Sequence, residues 1–136
     1  MNEKLLYLDS SALVKLVLPE PETQALLGLI QRWPERISSS LARVEVLRAV
    51  QRVGEESTIL QRAKVVVARI GLLGINAEIL DTAARLEPHE LRTLEAIHLA
   101  TALSVEEQLG VMVTYDVRLA RAAEHHGVSL LAPAAS

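Results

Sequence analysis

The chain of 136 residues contains no cysteine and no phenylalanine, and aromatic residues make up only 2% of it. The absence of cysteine excludes disulfide bonds, thiolate zinc sites and a cysteine nucleophile. Because 50% of the residues are hydrophobic, the core must be packed from leucine, valine, isoleucine and alanine. A chain of this length forms one domain with a real core, so we expect a single domain over residues 1–136.

The sequence also has no run of about 18 apolar residues that would indicate a membrane span. Its first residues lack the basic region and the long apolar stretch of a signal peptide. We therefore expect a cytoplasmic protein that does not enter a membrane. The net charge of −3 argues against tight, non-specific binding to nucleic acid, which usually needs a basic surface. It does not exclude a nuclease in which cations neutralise a cluster of acids.

Short apolar runs alternate along the chain with longer helical patterns, which is typical of βαβ units and a parallel sheet. The predicted strands cover residues 5–8, 36–39, 73–75, 111–115 and 128–131. The predicted helices cover residues 10–18, 22–33, 40–53, 55–73, 76–86, 93–109 and 116–126. In this scheme Gly110 ends the helix before it as a C-cap. The pattern predicts an α/β fold.

Two aspartates come directly after predicted strands. Asp9 follows an apolar run of four residues, and Asp116 follows the run that ends at Thr114 and Tyr115. An open α/β sheet usually builds its ligand site at the carboxyl ends of its strands, so this placement indicates a metal or phosphate centre. Either aspartate would alternatively cap the helix that follows it, which is a common role for this residue.

Two glutamates lie on predicted helices. Glu95 is in the most apolar helix, on the same face as His98, where an unpaired buried carboxylate needs a proton, a partner or a cation. The alternative for Glu95 is a first-turn acid that the helix dipole favours. Glu45 borders the apolar stripe of its own helix, and taken alone a surface ion pair with Arg48 is a sufficient structural explanation. We expect His98 to be a hydrogen-bonded core residue rather than a ligand.

Four segments carry a more specific signal. They are LDSSALVKL at 8–16, SSLARVEV at 39–46, LRTLEAIHLATA at 91–102 and VTYDVRL at 113–119. Together they resemble the four signature blocks of PIN-domain proteins, and more narrowly those of the VapC toxins of bacterial and archaeal toxin–antitoxin pairs. The blocks occur in the family's order, and the resemblance runs from about Tyr7 to Pro133. One block alone would be weak, but four within one small domain are specific.

The resemblance implies a three-layer α/β/α sandwich with a central parallel sheet, in which four acids converge at the carboxyl ends of the strands. In this family such acids bind Mg²⁺ or Mn²⁺ and support hydrolysis of RNA. The acids that match by position are Asp9, Glu45, Glu95 and Asp116. Thr114 matches a hydroxyl residue that supports the acidic centre, and we expect the same of Ser11. Glu95 stands where the family usually has aspartate.

The residue types suit this chemistry. Mg²⁺ prefers oxygen ligands in octahedral geometry and retains several waters, so a few carboxylates hold it without thiolates or imidazoles. The extra methylene of Glu95 moves its carboxylate outward by roughly a bond length in a site where Mg²⁺ demands near-ideal distances. We expect metal binding to survive this change, with any loss falling at a second metal position.

The resemblance also implies partners. They are an RNA substrate, a VapB-like antitoxin that blocks the acidic cleft, and a second copy of the chain in a homodimer. One alternative is a PIN nuclease of RNA processing that has no antitoxin, and another is a catalytically inactive PIN scaffold. A further alternative is a phosphoacceptor module in which Asp9 or Asp116 takes a phosphoryl group. That module does not explain Glu45 and Glu95 in their matching segments.

Overall fold

The computed structural model describes residues 4–54 and 57–134. Its strands are β1 (Leu5–Leu8), β2 (Arg36–Ser39), β3 (Gly71–Leu73), β4 (Leu109–Val113) and β5 (Leu130–Leu131). Its helices are α1 (Ser10–Val17), α2 (Thr23–Ile30), α3 (Leu41–Val53), α4 (Ser57–Ala68), α5 (Ala77–Arg85), α6 (Thr93–Leu103) and α7 (Val117–His125). Within the described ranges, none of these helices is long and apolar enough to cross a membrane.

The five strands form one sheet with the order β3-β2-β1-β4-β5, and each pairing in it is parallel. Alternate residues of β1 point to opposite faces, since side chains alternate along a strand. Leu6 and Leu8 pack into the core shared by α1, α2, α3 and α4, whereas Tyr7 packs into the core shared by α5, α6 and α7. In β4, Val113 joins the first core and Met112 the second. The expected three-layer sandwich with a central parallel sheet is confirmed.

The strand order places a crevice at the centre of the sheet. From β1 the chain moves outward through β2 and β3 on one side, and then returns to β4 and β5 on the other side of β1. The direction therefore reverses between β1 and β4. Open parallel sheets bind ligands outside the carboxyl ends of the strands at such a reversal. Asp9 follows β1 and Thr114 follows β4, so both lie at this point.

The predicted end of the apolar helix before β4 was wrong. Helix α6 ends at Leu103, not at residue 109, and Gly110 lies inside β4 rather than at a helix C-cap. Pairing with β1 decides this boundary, because the backbone N–H of Leu5 donates to the carbonyl oxygen of Gln108 at 2.8 Å. A local apolar pattern cannot indicate pairing with a strand about a hundred residues away in the sequence.

The segment around β3 also differs from its prediction. Helix α4 ends at Ala68 and the strand covers Gly71–Leu73 rather than residues 73–75. The predicted start of this helix at residue 55 lies outside the described residues. Gly71 pairs with Ile37 of β2, and a Cβ there would lie 3.5 Å from the carbonyl oxygen of Arg36. Gly71, which the prediction placed inside the helix, therefore begins the strand.

Gly110 is required by a close approach of side chains, and its replacement by alanine is expected to destabilise the protein. A Cβ at this position would overlap the far edge of the Trp33 indole ring and lie 2.8 Å from the Cβ of Lys4. Overpacking of this kind costs about 1–3 kcal/mol of unfolding free energy, which urea denaturation measures. Gly28→Ala is the matched control, because a Cβ there meets no atom within 4 Å and alanine favours the helix. Equal stability of the Gly110→Ala variant and the parent would contradict the close approach.

Candidate functional site

Asp9 ends β1 and is the most buried of the four candidate acids, with 3% of its surface exposed. Its Oδ1 accepts hydrogen bonds from the Ser11 hydroxyl at 2.6 Å and from the Ala12 N–H at 3.0 Å. Its Oδ2 accepts from the Thr114 hydroxyl at 2.5 Å. Asp9 therefore also caps α1, which was the alternative role predicted for it. Burial raises the pKa of Asp9, and these hydrogen bonds offset that increase only in part.

Ser11 and Thr114, the two predicted supporting residues, connect the ends of β1 and β4. The Thr114 oxygen accepts a hydrogen bond from the Asp116 N–H at 3.0 Å while its hydroxyl donates to Asp9. The Ser11 oxygen accepts from the Tyr115 N–H at 2.9 Å while its hydroxyl also donates to Asp9. Both hydroxyls thereby fix the Asp9 carboxylate against the strand that leads to Asp116.

Asp116 and Glu95 form a carboxyl pair. Asp116 caps α7, its Oδ1 accepting from the N–H groups of Arg118 and Leu119 at 2.9 and 3.1 Å. Glu95 lies in the first turn of α6, where its Oε1 accepts from the Arg92 N–H at 3.2 Å. The two carboxyl groups lie close enough to affect each other's pKa. Burial, and then the neighbouring Asp116, raise the pKa of Glu95. For Asp116, burial is outweighed by Glu95 and by the N–H groups of Leu119 and Arg118, so its pKa is lowered.

Glu45 points from α3 to the same edge of the sheet. Its Oε1 accepts from the Ser10 hydroxyl at 2.5 Å and lies 2.7 Å from Nε2 of His98. The predicted ion pair of Glu45 with Arg48 was wrong, since among the described residues Glu45 lies against His98 instead. Burial alone would raise the pKa of Glu45, but the bonds from His98 and Ser10 outweigh it and lower the pKa. Glu45 is thus held in its charged form.

His98 is a buried, hydrogen-bonded residue of α6, as predicted, but its partners could not be predicted from local patterns. Its Nδ1 lies 2.7 Å from the Tyr7 hydroxyl. An ionised carboxylate only accepts hydrogen bonds, so Nε2 donates to Glu45 and, in the neutral ring, Nδ1 accepts from Tyr7. The hydroxyl keeps its proton because burial, and then the charge of Asp9, raise the pKa of Tyr7 far above its usual range.

Hydrogen bonds hold the four candidate acids in an acidic network of two parts at the sheet edge. In one part Thr114 joins Asp9 to the backbone N–H of Asp116, which lies beside Glu95, and in the other Glu45 bonds to Ser10 and His98. In residues 4–54 and 57–134, however, no three aspartate, glutamate or histidine side chains form a ready-made metal cage. The structure instead presents a Glu95–Asp116 pair on one side of Asp9 and Glu45 on the other.

The donor set nevertheless suits a hard divalent cation. No lysine or arginine of the described ranges forms an ion pair with Asp9, Glu95 or Asp116. A buried carboxylate without a positive partner is costly, and Asp9 is 3% exposed. Neighbouring carboxyl groups such as those of Glu95 and Asp116 disfavour each other's charge, which a bound cation would offset. A Mg²⁺ ion retains several waters and needs few protein ligands. It is therefore compatible with two or three carboxylate oxygens at this edge.

The fold and the acids at the carboxyl-terminal edge of the sheet place the protein in one structural class. Its members are doubly wound α/β domains with carboxylates where the strand order reverses. Residues 6–125 match the family model described as PIN domain. Ribonuclease VapC46 of Mycobacterium tuberculosis is 44% identical over 128 residues, which cover 94% of this chain and 97% of the relative. Ribonuclease VapC35 of the same organism is 40% identical over 136 residues, covering 95% and 97%. The chain belongs to the PIN-domain family, in its VapC ribonuclease branch.

Solved structures agree in fold. VapC20 of Mycobacterium tuberculosis, described as a toxin that cleaves the sarcin–ricin loop, superposes with a TM-score of 0.72 at 13% identity, covering 94% of this chain and 99% of that one. VapBC2 of Rickettsia felis, solved with a fragment of promoter DNA, gives 0.72 at 12% identity, covering 95% and 98%. At these identities the likeness concerns the three-layer architecture alone.

Proposed function

We propose that this chain is a VapC-type toxin that hydrolyses RNA phosphodiester bonds with Mg²⁺ or Mn²⁺ held by Asp9, Glu45, Glu95 and Asp116. The observation that carries the proposal is the link from Asp9 through Thr114 to Asp116, which fixes two acids at the strand reversal. The ribonuclease names of relatives at 40% and 44% identity support RNA as the substrate.

Each acid has a distinct part in this proposal. Mg²⁺ or Mn²⁺, when bound, supplies a Lewis acid that activates water and offsets charge on the scissile phosphate. Asp9 and Asp116 would bind the ion through oxygens that their strand ends hold rigidly. Glu45, which Ser10 and His98 hold through its Oε1, would contribute its other carboxylate oxygen. Glu95 would meet the same ion from the first turn of α6, beside Asp116.

Metal removal tests the proposal directly. The purified protein is expected to cleave RNA when Mg²⁺ or Mn²⁺ is added, to stop on addition of EDTA, and to recover with excess metal. Fragments resolved on a denaturing gel measure the rate, and sequencing of their ends gives the cleavage site and target. Undiminished cleavage in EDTA would contradict the metal requirement, and no cleavage of any RNA with either metal would contradict the ribonuclease assignment.

An antitoxin partner and a homodimer belong to the same proposal. Val44, Leu94 and Val117 are 56%, 47% and 63% exposed, and each is the chain neighbour of a candidate acid. Exposed apolar side chains next to candidate acids suit a partner segment that carries apolar side chains and one basic side chain to meet the carboxylates. We expect a VapB-like antitoxin to bind there and to inhibit cleavage in the cytoplasm. Light scattering of the free chain tests the dimer.

A further inference from the structure

A depression of about 800 Å³ lies beside the candidate acids, between the segment 87–91 and one face of α7. The side chains around it are those of Glu87, Pro88, Glu90, Leu91, Arg118, Arg121, Ala122 and His125. Its size is that of sites that enclose small organic ligands. The four acids and their hydroxyl partners do not line it, so it is separate from the acidic network.

Each side of the depression includes a residue that is close in sequence to Glu95 or Asp116, or bonded to one of them. On one wall, the backbone N–H of Arg118 donates to Asp116 at 2.9 Å. On the other, Leu91 directly precedes Arg92, whose N–H donates to Glu95 at 3.2 Å. From Arg118 to His125 the depression extends along α7 by roughly 10 Å, at about 1.5 Å per residue. A ligand in the depression would therefore lie next to any phosphate bound at the acids.

The depression is lined by basic side chains on one side and by acidic side chains on the other. Arg118, Arg121 and His125 are spaced by three and four residues and share one face of α7. All three are exposed, and none forms an ion pair with a residue in the described ranges. Glu87 and Glu90 lie across from them, with Pro88 and Leu91 supplying apolar surface. The site thus offers cationic donors, carboxylate acceptors and flat apolar contacts together.

We propose that this depression binds one unpaired nucleobase, together with its phosphate, next to the scissile bond of a single-stranded RNA. The inference rests on the proposed ribonuclease function and assigns it a specificity subsite. Arginine binds phosphate, and arginine and histidine planes stack on splayed-out bases. A carboxylate accepts hydrogen bonds from the amino groups of bases and repels phosphate, so Glu87 and Glu90 face the base. Sequence-specific RNA recognition mainly uses unpaired nucleotides of this kind.

RNA binding in EDTA tests the subsite without catalysis. Arg121→Ala and His125→Ala are compared with the parent and with Arg52→Ala, an exposed arginine of α3 that does not line the depression. The probe is a fluorescent single-stranded RNA of randomised sequence, read by anisotropy. Each subsite variant is expected to weaken binding roughly tenfold, in line with the loss of a stacking or phosphate contact. The control is expected to bind within about twofold of the parent, since one peripheral charge contributes little.

The cleavage pattern supplies the second readout. Glu90→Gln is expected to change the base found at one position beside the cut, because an amide both donates and accepts where the carboxylate only accepts. End sequencing of a randomised RNA digested with Mn²⁺ measures this preference. Variants that bind and cut with the parent's affinity and base preference would overturn the subsite while leaving the ribonuclease intact. If the parent itself cleaves nothing, the proposed function fails, and the binding measurement in EDTA still decides whether the depression takes RNA.

Discussion

Replacing either Asp9 or Asp116 with asparagine is expected to lower RNA cleavage by roughly a hundredfold or more. Such a loss corresponds to several kcal/mol of transition-state stabilisation, the amount attributed to a metal ion that offsets phosphate charge. Asparagine has nearly the same shape as aspartate but carries no charge, so it preserves the packing around each position. Initial rates on the RNA that the parent cleaves measure the effect. Asp81→Asn, at an exposed aspartate of α5, is the control and should match the parent.

Stability measurements separate lost chemistry from lost folding in the Asp9→Asn variant. The pKa of Asp9 is raised on folding, with burial as the main cause, so its ionised form is disfavoured in the folded protein. A group of this kind contributes stability below its unfolded pKa of about 3.9 and loses that contribution as pH rises through the folded value. Without metal at neutral pH, the variant should therefore unfold at the same temperature as the parent or at a higher one.

Two outcomes would contradict this assignment of the acids. The first is full cleavage by the Asp9→Asn and Asp116→Asn variants under conditions where EDTA stops the parent. The second is a Tm for Asp9→Asn well below that of the parent in EDTA, which would mean that the carboxylate stabilises the fold. The first outcome would mean that other residues hold the metal, whereas the second would mean that Asp9 serves the fold as the cap of α1 rather than the metal site.

Local patterns predicted the parts of the site that depend on neighbouring residues. An apolar strand followed by an aspartate is readable within ten residues, and Asp9 directly follows β1 as this pattern predicts. Asp116 caps α7 but is separated from β4 by Thr114 and Tyr115, because the strand covers Leu109–Val113 rather than residues 111–115. The two layers of helices follow from short apolar runs, because strands buried on both faces are almost continuously apolar. Both alternatives for Glu95 are partly realised, since it is a first-turn acid that also contacts Asp116.

Contacts between distant segments could not be predicted in this way. The expected partner of Glu45 was Arg48 because residues three apart on a helix are neighbours. The actual partner, His98, is 53 residues away on another helix. Similarly, the end of α6 depends on how β4 pairs with β1. No periodicity in a single sequence encodes which strand or helix will lie opposite, so these parts required the tertiary structure.

Replacement of His98 with alanine is expected to produce the largest combined loss of stability and metal affinity. The imidazole joins the Tyr7 hydroxyl to the Glu45 carboxylate, both at 2.7 Å. Its removal leaves a fully buried hydroxyl without this partner and opens a cavity, at a cost of about 2–4 kcal/mol of unfolding free energy. Glu45 also loses the bond that orients it. Partners of this kind typically contribute 10–100-fold to metal affinity, so the affinity for Mn²⁺ should fall by about that factor.

Two conservative replacements of His98 separate the effects of its two hydrogen bonds, because each keeps one bond and removes the other. The side-chain amide of glutamine reaches the position of Nε2 and donates to Glu45, whereas asparagine places a polar atom near Nδ1, beside Tyr7. Both variants lose one buried hydrogen bond, so urea denaturation should show similar losses of about 1–2 kcal/mol. Calorimetric titration with Mn²⁺ should separate them: His98→Gln should bind within about threefold of the parent, and His98→Asn should bind about 10–100-fold more weakly. Equal affinities in the two variants would contradict positioning, because a purely structural histidine affects both to the same extent.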